Sequence, residues 1–217
     1  PVIAPDGTKV AYSFRQQDGK TPIFVVAASG GTPEQVCGDC GEVEQWTPDG
    51  RGILFVTATD PVGTGLLTLR SSPQREWLTH PGYGIFNARV STDQRWVSFN
   101  ARPNRFAPAR VLIARVQGSN VSGEKEWIQV TEDGDAPAWS PRGDLVYFWS
   151  DRDGSPCLWA QPLDRMTKRP TGSPVNVEHF HKRSLSWKNL YQYAPDIAVA
   201  RDKIVFSLGE HTSNIWM

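Results

Sequence analysis

The chain has 217 residues, with 23 Lys and Arg against 23 Asp and Glu, so its formal net charge is zero. That balance argues against a bulk polyanion such as nucleic acid as partner, and no apolar run approaches the roughly 20 residues that a membrane-spanning helix needs. Nine Trp, nine Phe and five Tyr alongside 19 Gly and 17 Pro favour strands and tight turns over helices.

In chain order, short apolar and β-branched runs separated by turn residues predict four strands per unit. The first unit offers Val2–Ala4, Lys9–Ser13, Pro22–Ala27 and Glu34–Cys37. Its Pro5-Asp6-Gly7 turn combines a preset φ, a side-chain acceptor and a residue that tolerates positive φ. The second unit runs Glu44–Thr47, Gly52–Thr57, Leu66–Leu69 and Glu76–Thr79, and the third Ala88–Ser91, Arg95–Asn100, Val111–Arg115 and Trp127–Thr131. Ala138–Ser140, Asp144–Ser150, Leu158–Gln161 and Val175–His179 make the fourth. The fifth gives Asp196–Val199, Lys203–Ser207 and Asn214–Met217, one strand short.

The units repeat in sequence as well as in pattern. Val10, Ile53, Val97, Val146 and Ile204 align, each followed two residues later by Tyr12, Phe55, Phe99, Phe148 or Phe206, at spacings of 43, 44, 49 and 58 residues. A period near 45 residues built from short strands is the mark of a propeller blade. The expected fold is therefore all-β: a β-propeller of about five four-stranded units, approximately 1–43, 44–87, 88–136, 137–194 and 195–217, the last incomplete. An open array leaves unpaired strand edges, which favours further blades before Pro1 and a chain that is the C-terminal part of a larger protein; a three-stranded last blade is the other possibility.

Trp46-Thr47-Pro48-Asp49-Gly50, Trp139-Ser140-Pro141-Arg142-Gly143 and Ser150-Asp151-Arg152-Asp153-Gly154 resemble the TolB-like, WD40-like propeller repeat, with its W-S-P-D-G turn and S-D-R-D-G hairpin. The resemblance covers essentially the whole chain. Segments 36–51, 98–111 and 199–217 are similar to the propeller regions of Acidobacteria-type multidomain signalling proteins. Thr92-Asp93-Gln94 and Ala200-Arg201-Asp202 depart from the turn consensus. The resemblance implies a non-catalytic, protein- or peptide-binding platform, a sensory or scaffolding module of a bacterial signalling or envelope protein. It tilts localisation toward the periplasm or another extracytoplasmic site.

Enzyme signatures are missing: there is no G-x-S-x-G, no phosphate loop, no H-E-x-x-H and no G-x-G-x-x-G. No cofactor is implied. The rival readings are an accessory propeller of a hydrolase, or a sugar- or small-molecule-binding propeller. Candidate binding residues come from the third unit's loop, Asn100, Arg102, Asn104, Arg105, Phe106 and Arg110, with Asn87 and Arg89 entering the same unit. Three Arg without an acid suit a carboxylate or phosphate; pairing of these Arg with acids of adjacent blades is the structural alternative. Trp46 and Trp139 share one repeat position, with Trp187 a further candidate, which points to packing between blades. Cys37 and Cys40 form C-G-D-C, a thiol or disulfide pair according to compartment. Serving as half of a zinc site would need His179 and His181 from the fourth unit. Cys157 reads as a small strand residue, and the Ser150–Gly154 run as an Asp-stabilised turn.

Overall fold

A computed structural model describes residues 1–69, 72–104, 106–180, 185–186 and 196–210. The fold is built almost wholly of antiparallel strands. Strands β1 (Val2–Ile3), β2 (Lys9–Ser13), β3 (Ile23–Ala27) and β4 (Glu34–Cys37) form the first sheet in chain order. The second comprises β5 (Gly41–Trp46), β6 (Gly52–Thr57), β7 (Thr64–Thr68) and β8 (Ser72–Leu78). In the third, β9 (Gly84–Val90), β10 (Trp96–Arg102) and β11 (Arg110–Gln117) are followed by the short β12 (Asn120–Val121) and by β13 (Ile128–Thr131), both paired with β11. The fourth holds β14 (Asp135–Trp139), β15 (Leu145–Ser150), β16 (Cys157–Pro162) and β17 (Val175–Glu178). A two-residue strand, β18 (Leu185–Ser186), pairs with β21 (Gly209–Glu210), while β19 (Ile197–Val199) and β20 (Ile204–Phe206) form the hairpin of the fifth unit. The expected strand at Asn214–Met217 lies outside the described residues.

Four hydrophobic clusters hold the sheets together, one at each junction between successive blades. Period-2 alternation explains this. Phe55 packs toward the first blade while its neighbour Leu54 packs toward the third. Likewise Phe148 faces the third blade and Trp149 the fifth. A strand covered on both sides reads as continuously apolar or small: Val97 through Ala101 are all buried on β10. The aligned pair of the repeat always faces the preceding blade, so Ile53, Phe55, Val97, Phe99, Val146 and Phe148 are buried. In the first blade Val10 and Tyr12 are only half-buried.

The inner strands β5, β9 and β14 start earlier than the sequence pattern predicts, and β-bulges are the cause. Val43 lies opposite Phe55 but Gln45 opposite Leu54, leaving Glu44 extra. Phe86 pairs with Asn100 and Arg89 with Ser98, and Asp135 pairs with Trp149 and Ala138 with Tyr147. Each bulge shifts the alternation and hides the first half of the strand from a period-2 reading. Asn87 and Ala136 take positive φ of 55° and 49° there, and Pro137 occupies a position where no ladder N–H is required.

Of the two turns that depart from consensus, Thr92-Asp93-Gln94 keeps its geometry. Gln94 adopts φ 57°, where Gly7, Gly50 and Gly143 sit at 72°, 69° and 65°, and its N–H bonds Ser91 as theirs bond Ala4, Thr47 and Ser140. Asp93 accepts from the Ser91 hydroxyl and the Arg95 N–H, as Asp49 does from Thr47 and Arg51. The side-chain acceptor therefore secures the turn without Pro or Gly.

Candidate functional site

The innermost strands β1, β5, β9, β14 and β19 together line a central cavity of about 520 Å³. Its wall is stitched by the recurring Trp. The Trp46 indole N–H donates to the Val2 carbonyl of the preceding inner strand at 3.1 Å, and Trp139 donates to Arg89 at 2.8 Å. Blade three has Val90 at that position; there the Gln45 side chain accepts from the Val90 N–H at 2.7 Å. Trp187 lies outside the described residues.

Three ionisable groups distinguish this cavity, Glu44, Arg89 and Asp196. Glu44, the bulged residue of β5, is buried; its Oε2 accepts from the Ala88 N–H at 3.2 Å and the Thr64 hydroxyl at 3.4 Å. Its Oε1 has no hydrogen-bond partner among the described residues. Burial, only partly offset by the nearby Arg89 and by hydrogen bonds, pushes its pKa up to about 7. Arg89 reaches from the third blade to the fifth, where its Nη2 meets the Asp196 carboxylate at 2.7 Å, while Nη1 donates to the Ala88 carbonyl. The cavity thus holds a carboxyl poised between charge states beside an ion pair whose acid is exposed.

The loop residues singled out in the sequence divide into three groups. Asn87 and Asn100 are buried in a polar network: Asn87 donates to Asn100 at 3.1 Å and to Asp135 at 3.0 Å, and Asn100 donates to the Gly134 carbonyl at 2.8 Å. Arg102 joins the same network, 3.6 Å from Asp135 and stacked over Phe86. This is pairing with an acid of the adjacent blade, and it places Asn87, Asn100 and Arg102 together. Arg89, by contrast, faces the central cavity. Asn104 caps its own turn, accepting from the N–H groups of Phe106 and Ala107. Phe106 is 84% exposed and Arg110 is exposed on β11. Arg105 lies outside the described residues. Beside this loop a small cleft of about 200 Å³ is lined by Arg102 with Asp133, Asp135 and Asp151, so its lining carries more acid than base.

Cys37 and Cys40 are joined in a disulfide, which removes both from the thiolate ligand pool and leaves the zinc pairing with the H-F-H pair without its sulfur ligands. His181 lies outside the described residues. His179 instead meets Cys157 and Asp153, whose ligand atoms all lie within 4.8 Å of one another. Sequence spacing gave no sign of this trio, because its members come from a hairpin loop, the strand β16 and the segment just after β17. Arg152 of the same hairpin clamps blade four to the end of blade three, bonding Asp133 and Thr131 at 2.6 Å each while lying over Phe148 and Trp159.

No protein-family model matches the chain. A curated relative, an uncharacterized protein of Agrobacterium fabrum, is 31% identical over 150 residues, which is 68% of this chain and 49% of the relative. The chain thus spans about half the length of the curated relative it matches. Among solved structures, TolB from Acinetobacter baumannii superposes with a TM-score of 0.65 at 18% identity, over 82% of this chain and 42% of TolB. A proposed TolB of Agrobacterium tumefaciens gives 0.62 at 25% identity, over 80% of this chain and 62% of that one. The fold is that of a TolB-like β-propeller. Prolyl oligopeptidase B from Galerina marginata shares it at 14% identity and a TM-score of 0.59, over 94% of this chain but 37% of the peptidase. In this propeller the repeated Trp and the bulged inner strands shape the central cavity, and the long third-blade loop flanks an acid-lined cleft at the junction of blades three and four.

Proposed function

We propose that the chain is a non-catalytic binding platform that takes a protein segment or peptide at its central cavity, serving as a sensory or scaffolding module of a bacterial signalling or envelope protein. The observation that carries this reading is the cavity itself. Five inner strands converge on it, its wall is apolar at Val2, Trp46, Trp139 and Ile197, and its polar groups are few: Glu44, Gln45, Arg89 and Asp196. A concave apolar site with a small number of placed polar groups is the usual form of a recognition site. The exposed Asp196 favours a segment carrying a Lys, an Arg or a free amine, which would exchange with Arg89 for Asp196.

A displayed random-peptide library, selected on the full chain and followed by calorimetric titration of the enriched peptides, tests this. Peptides rich in basic residues are expected, with Asp196→Asn weakening binding about tenfold or more, the loss of one charge-assisted hydrogen bond of roughly 1.5–3 kcal/mol. Peptides that bind Asp196→Asn as tightly as the parent would remove the cavity from consideration.

The peptidase likeness supports a second reading, a propeller that accompanies a hydrolase domain and filters its substrates. Under that reading the chain itself hydrolyses no peptide, and the selected peptides carry no basic bias.

A further inference from the structure

We propose that Asp153, Cys157 and His179 form a binding site for a divalent first-row transition metal, zinc by preference, with a fourth coordination position open to solvent. The three groups come from one blade and are fixed by its ladder. Cys157 opens β16 opposite Ser150, Asp153 lies in the hairpin between β15 and β16, and His179 follows Glu178, which pairs with Leu158.

Two of the three ligand-atom pairs stand at ligand-to-ligand distances, and all three atoms lie within 4.8 Å of one another. The Cys157 sulfur is 3.5 Å from His179 Nδ1, and Nδ1 is 3.1 Å from Asp153 Oδ2. An ion with zinc–sulfur bonds of about 2.3 Å and zinc–nitrogen or zinc–oxygen bonds of about 2.0–2.1 Å, at tetrahedral angles, spaces those same pairs by roughly 3.5 and 3.3 Å.

The surroundings fit as well. The Phe180 N–H donates to the sulfur at 3.3 Å, the outer contact that steadies a thiolate ligand. Ser155 N–H donates to Asp153 Oδ1 at 3.3 Å, leaving Oδ2 turned toward His179. The Trp159 ring stands edge-on to the imidazole. Cys157 is fully buried, whereas the His179 side chain is 51% exposed, so the site is closed beneath and open above.

Thiolate with imidazole and carboxylate selects zinc or its neighbours over the hard ions calcium and magnesium. Binding forms the metal–sulfur bond and releases the Cys157 thiol proton to solvent. The bound ion would tie the outer strand's end to the β15–β16 hairpin. This proposal is independent of the central cavity and of what it recognises.

The full chain, with its Cys37–Cys40 disulfide intact and stripped by chelator, is titrated with Co²⁺. Expected are a thiolate-to-cobalt charge-transfer band that saturates at one equivalent, and its loss on adding Zn²⁺. Cys157→Ser removes the band, and His179→Gln and Asp153→Asn each weaken metal affinity about tenfold or more. Because His179 is half exposed, His179→Gln tests the site even if the buried Cys157→Ser variant misfolds. Absence of a charge-transfer band overturns the proposal, and so does a band that persists unchanged in either Cys157→Ser or His179→Gln.

Discussion

Glu44 shows how much one residue's setting outweighs its type. A carboxyl that ionises at an ordinary value of 4.5 in the unfolded chain is held protonated to about pH 7 in the fold by burial. Between those values the folded state binds more protons than the unfolded one, so stability falls as pH rises from about 4.5 to about 7 and levels off above. The loss attributable to Glu44 is at most about 3 kcal/mol. Urea unfolding at pH 5 and pH 8 should show the parent losing stability over this interval and Glu44→Gln losing much less. Equal slopes in the two proteins would assign the titration to another group. The sequence marks Glu44 only as a polar residue before Trp46; its burial follows from the bulge that turns it toward Ala88, 44 residues away. Arg102 tells the opposite story. Its type suggested an anion site, while the fold uses it against Asp135 and Phe86.

At the scale of elements, strands β6 and β7 meet through a glycine under an aromatic ring. Gly65 lies directly opposite Phe55, and a Cβ added to it would stand 2.1 Å from the ring's Cζ. Gly65→Ala should therefore destabilise by about 1–3 kcal/mol through overpacking. Phe55→Leu costs stability on its own, but in that background the added methyl has room, so the double variant should be more stable than the two single losses added together. A denaturation cycle measures the coupling, and strict additivity would show that the ring does not rest on the glycine. The strands themselves were largely legible, since alternation and turn residues are local signals: β2, β4 and β6 match their expected limits residue for residue. The inner strands β5, β9 and β14 extend further toward the N-terminus than alternation predicts, because a bulge interrupts the period that defines a strand by sequence. Strand β12 and the 3-10 turn at Glu124–Glu126 were missed for another reason, being too short to carry a period.

Across the molecule, blades are joined by apolar clusters, and a buried polar knot adds to them between the third and fourth. Asn100 ties that knot: it donates to Gly134 and to Arg110 and accepts from Asn87 and from the Ala136 N–H. Asn100→Ala strands several of these groups without water, and each buried polar group left unpaired costs about 1–3 kcal/mol. In a stack of units stability is a sum of unit and junction terms. The variant should then lose at least the cost of one group and unfold over a broader denaturant range, with the two halves uncoupled. A single transition of unchanged midpoint and steepness would show that the apolar cluster alone couples these blades.

By itself the sequence determined the blade: its period, its strand count within the first, second and fourth units, the Asp-anchored turns and the role of Trp46 and Trp139 as links between neighbours. These are written in alternation, aromatic pairs and turn chemistry, all of which act over a few residues and recur at each repeat. Only the tertiary structure decided which polar groups meet. Arg89 finds Asp196 107 residues away, Asn100 finds Ala136 across a junction, and Cys157 finds His179 across a strand pair. The stacked blades bring these groups together by curvature and bulge, and neither leaves a periodic trace in the chain.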